Sequence, residues 1–122
     1  MIMMWTGRAM TAVKNGAQYP PVWQDWLVVM DQMTIPVGVK DTDAAYALLN
    51  AYLGKKAQEV LTEKTSYTPI NMDAKPNVDA NTTAFLTSTP ERIAQGYQQN
   101  IPFWVKNFDK AGEQWAAVLS GN

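Results

Sequence analysis

Residues 27–36 read LVVMDQMTIP, and how Asp31 is accommodated there decides the fold class of the chain. Leu27, Val28, Val29 and Met30 precede it, with Met33 and Ile35 after it, an environment in which an unpaired carboxylate is costly. In strand geometry Val29, Asp31 and Met33 share one face, and Val28, Met30 and Gln32 the other. A strand here therefore presents one carboxylate among apolar groups. Two readings follow: a strand-end aspartate that caps a turn or pairs with a lysine, or a ligand site for a cation. Either way the stretch brings a strand into a chain whose other signals are mostly helical.

Working outward, Tyr19-Pro20-Pro21 is extended because proline fixes φ and biases its predecessor away from helix. Val22 to Ile35 reads as extended or strand, ended by Pro36 and Gly38. Upstream, Ile2 to Trp5 is a short apolar strand, and Thr6 caps a helix over Arg8 to Lys14 that Asn15-Gly16 stops. Downstream, Asp41 or Thr42 caps a helix whose Ala45, Leu48, Leu49, Tyr52 and Leu53 follow the 3.6-residue period. Gly54 is a joint, and Lys55 to about Lys64 forms a second helix. Asn71 to Thr87 is polar, with a short helix around Val78 to Phe85. Ser88-Thr-Pro-Glu91 resembles a capping box and opens a helix through about Gln99. In the last helix Trp104, Phe108, Ala111, Trp115, Val118 and Leu119 form one apolar stripe.

Composition removes several function classes. The 122 residues are 47 % apolar and 17 % charged, which suits one globular domain. A net charge of −1 leaves no electrostatic footprint for nucleic acid or an anionic membrane surface. With no Cys and no His, a Cys/His zinc site and any Ser-His or Cys-His catalytic arrangement are excluded, and no cofactor is expected. Neither phosphate-loop pattern occurs. Carboxylates and tyrosines are the remaining acid/base groups, and no close carboxylate pair marks a cleft, so an enzyme is not expected. The opening MIMMWTGRAM is too short in its apolar run for a signal peptide, and no stretch is long enough to span a membrane.

Two strands alone cannot make a well-covered sheet, so the α/β pattern is incomplete. Met4-Trp5-x-Gly7-Arg8-Ala9, then Val22-Trp23, then an apolar strand ending Asp31-x-x-x-Ile35-Pro36-x-Gly38, then a helix with Ala44-Ala45, resembles the C-terminal part of bacterial periplasmic binding proteins. Within that family it is most similar to the spermidine/putrescine-binding type of ABC transporters. Tyr67-x-Pro69-x-Asn71 resembles that subfamily's loop, and Phe103-Trp104-Val105-Lys106-Asn107 with Gln114-Trp115-Ala116-Ala117-Val118-Leu119 resembles its closing aromatic helix.

The resemblance implies a C-terminal fragment, about the last third, of a type II periplasmic-binding-protein fold. Residues 1–21 would belong to one lobe, 22–36 to a crossing strand and 37–122 to the helical part of the other lobe. It implies a solute-binding component of an ABC importer for polyamines or related small cationic solutes, a permease partner and a periplasmic location. By position, Trp5 matches the tryptophan that packs on the ligand's aliphatic chain, and Asp31 the carboxylate that binds an ammonium group. Polyamine binders often place a second tryptophan two residues before that aspartate, where this chain has Val29. The structural alternatives are Trp5 as a core residue, Trp104 and Tyr67 as core and loop anchors, Trp23 and Trp26 as hinge packing, and Lys55-Lys56 as a solvated face. The competing function is a truncated lobe that acts as a self-associating module without ligand, completed as a homodimer by its exposed edges and apolar faces.

Overall fold

The computed structural model describes residues 2–121. It is rich in helix, with a single sheet of two parallel strands among the described residues. Helix α1 (Thr6–Lys14) is followed by β1 (Trp26–Val28), then by α2 (Thr42–Leu53), α3 (Lys55–Thr65), α4 (Ala80–Phe85) and α5 (Pro90–Gln95). Strand β2 (Gly96–Gln98) and the 20-residue α6 (Ile101–Ser120) complete it. This is the mixed α/β pattern expected from the sequence. A type II binding-protein fold requires more strands than these two.

The helix ends follow capping chemistry. The Asp41 carboxylate accepts from the Ala44 amide at 2.8 Å, Asp79 from Thr82 at 2.6 Å and Asn100 from Phe103 at 3.0 Å. At α1, Trp5 occupies the N-cap position without a side-chain cap bond, so Thr6 is the first helical residue and not the cap. Gly16, with φ of +97°, turns the chain away after α1 as expected. The α5 cap is Thr89, one residue beyond the expected Ser88, and its hydroxyl accepts from the Arg92 amide at 3.3 Å.

Three expectations are corrected. Ile2 to Trp5 is not a strand: its backbone pairs with no sheet edge, and its side chains lie exposed. The strand expected over Val22 to Ile35 shrinks to Trp26–Val28, because β2 offers only three residues before Asn100 caps α6. The helix expected through Gln99 ends at Gln95. Gly96 lies directly under the Trp26 indole, where a Cβ would stand 2.5 Å from the ring, so this backbone is available for the register Trp26↔Gly96, Leu27↔Tyr97, Val28↔Gln98.

Burial is concentrated at one end. Met10, fully buried, packs with Ala9 of α1 and Phe85 of α4, and Val13, Tyr19 and Ala84 close around them. Elsewhere the buried residues are mainly polar, with Ala74 and Leu86 the apolar ones. The Gln58 side chain, 1 % exposed, donates to the Tyr52 carbonyl at 3.0 Å and accepts from the Ile70 amide at 3.1 Å. It thereby ties the end of α2 and loop 67–71 to α3. Asn71 donates to the Leu53 carbonyl at 2.9 Å, an otherwise unpaired acceptor at a helix end. The total accessible surface is 9740 Å². A compact monomer of 13.6 kDa exposes about 6,600 Å². The chain therefore leaves open a large area that a closed domain would cover.

Candidate functional site

Trp5 stands at the entrance of α1 and is half-exposed, at 49 %. Its carbonyl accepts from the Ala9 amide at 2.9 Å, which fixes the first turn. Two residues on, Gly7 is buried against the Tyr67 ring and the Thr65 carbonyl, where a Cβ would lie 2.7 Å from each. The Gly7 contact holds the start of α1 against the end of α3. The alternative of Trp5 as a core residue is not met. Tyr67 is the loop anchor that the sequence reading allowed.

Asp31 lies three residues past β1 in irregular chain and is exposed, as are Met30, Gln32 and Met33. No ion pair or hydrogen bond engages its carboxylate among the described residues. The expectation that it has an internal partner is therefore corrected: the strand that would have placed it in an apolar sheet face stops at Val28, and water solvates it instead.

Two clefts flank the sheet, and neither is lined by Trp5 or Asp31. The larger, about 340 Å³, lies between β1 and β2 on one side and loop 68–72 on the other, with Trp26, Ile70, Met72 and Ile93 forming apolar walls. Thr68, Thr87, Ser88 and Gln98 supply its polar groups. Thr68 accepts from the Thr87 amide at 2.7 Å, and the two hydroxyls are 3.0 Å apart, so much of that polarity is already satisfied. The sequence reading missed this cleft, since it placed residues 96–98 at the end of a helix. Gly96, between Gln95 and Tyr97, was the available signal.

Trp23 and Trp26 pack on each other and around Arg92. The Trp26 Nε1–H donates to the Arg92 carbonyl at 2.7 Å, and Trp23 meets Trp26 edge to face at 5.7 Å. The Arg92 guanidinium lies 5.1 Å over the Trp23 ring and donates to the carbonyls of Thr83 and Leu86. One arginine thus locks the α4–α5 turn to the segment that leads into β1.

Three carboxyls are held below their ordinary range by hydrogen-bond donors. Glu59 accepts from the Lys75 amide at 3.0 Å, aided by the charges of Lys55 and Lys56. Asp79 accepts from Thr82, and Glu91 from its own amide and the Thr89 hydroxyl. All three serve caps or tethers. No cluster of three or more acidic residues that could hold a metal occurs among the described residues, and no helix there is long and apolar enough to cross a membrane. No protein-family profile, curated protein or solved structure matches the chain.

Proposed function

We propose that this chain is part of the solute-binding component of an ABC importer, with polyamines or related small cationic solutes as ligands. The observation that carries the reading is that the two residues matched to ligand contacts both have their chemistry unspent. Trp5 is half-exposed at the start of α1, and Asp31 offers an exposed carboxylate with no cation paired to it among the described residues. An amine with a methylene chain would use both: the ammonium pairs with the carboxylate, and the chain and its charge lie on the indole. Binding, not chemical conversion, is the role, and the ligand is the only small molecule required.

The division into residues 1–21, 22–36 and 37–122 goes with this reading, as do the permease partner and the periplasmic location. Trp5 and Asp31 would meet the solute when a second lobe covers the surface left open here. The test is calorimetric titration of putrescine and spermidine into the protein, with Trp5→Ala and Asp31→Asn alongside. Saturable heat that both substitutions weaken by about tenfold or more supports the reading. Equal binding by all three proteins, or none by the unaltered one in the presence of its second lobe, sinks it.

The second reading, a self-associating module without ligand, is favoured by the excess of accessible surface and by the exposed edges of a two-stranded parallel sheet.

A further inference from the structure

Helix α6 buries none of its 20 residues against the rest of the chain. Ile101, Trp104, Phe108, Ala111, Trp115 and Val118 recur along it at spacings of three and four, which is the a/d pattern of a heptad seam. Ile101, Phe108, Trp115 and Val118 are more than half exposed, and Trp104 is over a third exposed. The positions that flank such a seam are Val105, Asn107, Gly112, Gln114 and Leu119, none of them charged. The helix's charged residues, Lys106, Asp109, Lys110 and Glu113, all fall on the far side.

We propose that this seam is a dimerisation surface whose occupant is α6 of a second copy, running antiparallel. The assignment is independent of whether the chain binds an amine. Antiparallel pairing about the helix centre sets Ile101 opposite the partner's Val118, Trp104 opposite the partner's Trp115 and Phe108 opposite the partner's Ala111. Every a position then meets a d position, and the largest central residue meets the smallest. Parallel pairing would stack Phe108 on itself and leave a void between two copies of Ala111, which costs packing energy.

Gly112 is a second and independent observation. A glycine inside a helix is unfavourable by about 1 kcal/mol relative to alanine. A methyl group built on Gly112 meets no atom of its own chain within 4 Å, so nothing in the chain requires the glycine. Beside Ala111 on the flank of the seam, it opens room for a close approach by the partner helix. Area agrees: the seam's exposed aromatic and aliphatic surface is on the order of 600 Å² per chain, or about 1,200 Å² for the pair, above the roughly 1,000 Å² that a specific interface needs.

Light scattering on the purified chain tests the assembly. The expected mass is about 27 kDa, twice the 13.6 kDa of one chain. Trp115→Glu is expected to return it to 13.6 kDa, while Lys106→Glu on the far side leaves the dimer intact. A monomer at every concentration overturns the proposal, and so does a Trp115→Glu protein that remains dimeric. Because the chain has no cysteine, orientation is read by single substitutions. Ile101→Cys mixed with Val118→Cys is expected to cross-link on mild oxidation, whereas each alone does not, since the two positions lie about 25 Å apart along one helix. Cross-linking of Ile101→Cys with itself overturns the antiparallel register, and this readout holds even where Trp115→Glu fails to fold.

Discussion

Replacing the buried Gln58 by alanine would remove the side chain that bridges the Tyr52 carbonyl and the Ile70 amide across a part-buried site. A lost hydrogen bond of this kind costs about 1 kcal/mol and the vacated space adds to it, so Gln58→Ala is expected to lower the unfolding midpoint in denaturant. Gln58→Glu keeps the shape but loses the donor, so it should recover only part of the loss. Nothing in the sequence singles out Gln58, because its role is set by two chain ends that meet only in the folded state. Asp31 is the opposite case. Its local surroundings argue for a partner, yet the structure leaves it in water, because the apolar neighbours are themselves exposed once the strand ends. In a complex closed by a second lobe, Asp31→Ala is expected to weaken amine binding by about 2–5 kcal/mol, the scale for stripping one partner from a desolvated charge pair. Trp5→Ala should cost about 1–3 kcal/mol, with Trp5→Phe retaining part of the affinity in the same titration.

Among the elements, β2 is the one whose existence hangs on a single missing atom. Gly96→Ala drives a methyl group into the Trp26 indole at 2.5 Å. The indole is held by the Arg92 carbonyl and the Trp23 ring and cannot step aside without breaking both contacts. Overpacking of this kind costs about 1–3 kcal/mol, so Gly96→Ala is expected to shift Trp26 fluorescence and lower stability together. The helices were legible in sequence from apolar periodicity, as at α2, α3 and α6, and at α2 also from the Asp41 cap. The strands were not, because strand length depends on how many residues the partner offers, and β2 offers three. Acid should loosen the caps and tethers as a group. Glu59, Asp79 and Glu91 are all held below their ordinary values by hydrogen-bond donors, chiefly the Lys75 amide, the Thr82 amide and Glu91's own amide. Since the folded values lie below the unfolded ones, their stabilisation is fully present above those values and is lost as pH falls through the lowered ones. A thermal midpoint flat near neutrality and declining below about pH 4 is the expected profile, with the decline shallower in Glu59→Gln.

For the whole molecule, the sequence reading reached the class, mixed and rich in helix with too little sheet, and it reached the surplus of uncovered apolar surface. The positions of Trp5 and Asp31 relative to each other were beyond it, since they depend on how residues 15–25 turn, where Asp25 adopts a φ of +57° that no pattern announces. The pairing of Trp26 with Gly96 carries a kinetic consequence. Those partners are 96 − 26 = 70 residues apart, and every helix from α2 to α5 lies in the loop between them. Closing a loop of that length costs about 4 kcal/mol of chain entropy, to be recovered by a ladder of only three residue pairs and one indole hydrogen bond. The hydrogen bonds inside each helix are local, so helical backbone forms without waiting for it. On refolding, far-UV ellipticity should therefore recover ahead of the change in tryptophan emission. The strand that opens the chain's only sheet among the described residues would be among the first segments made and among the last to find its place.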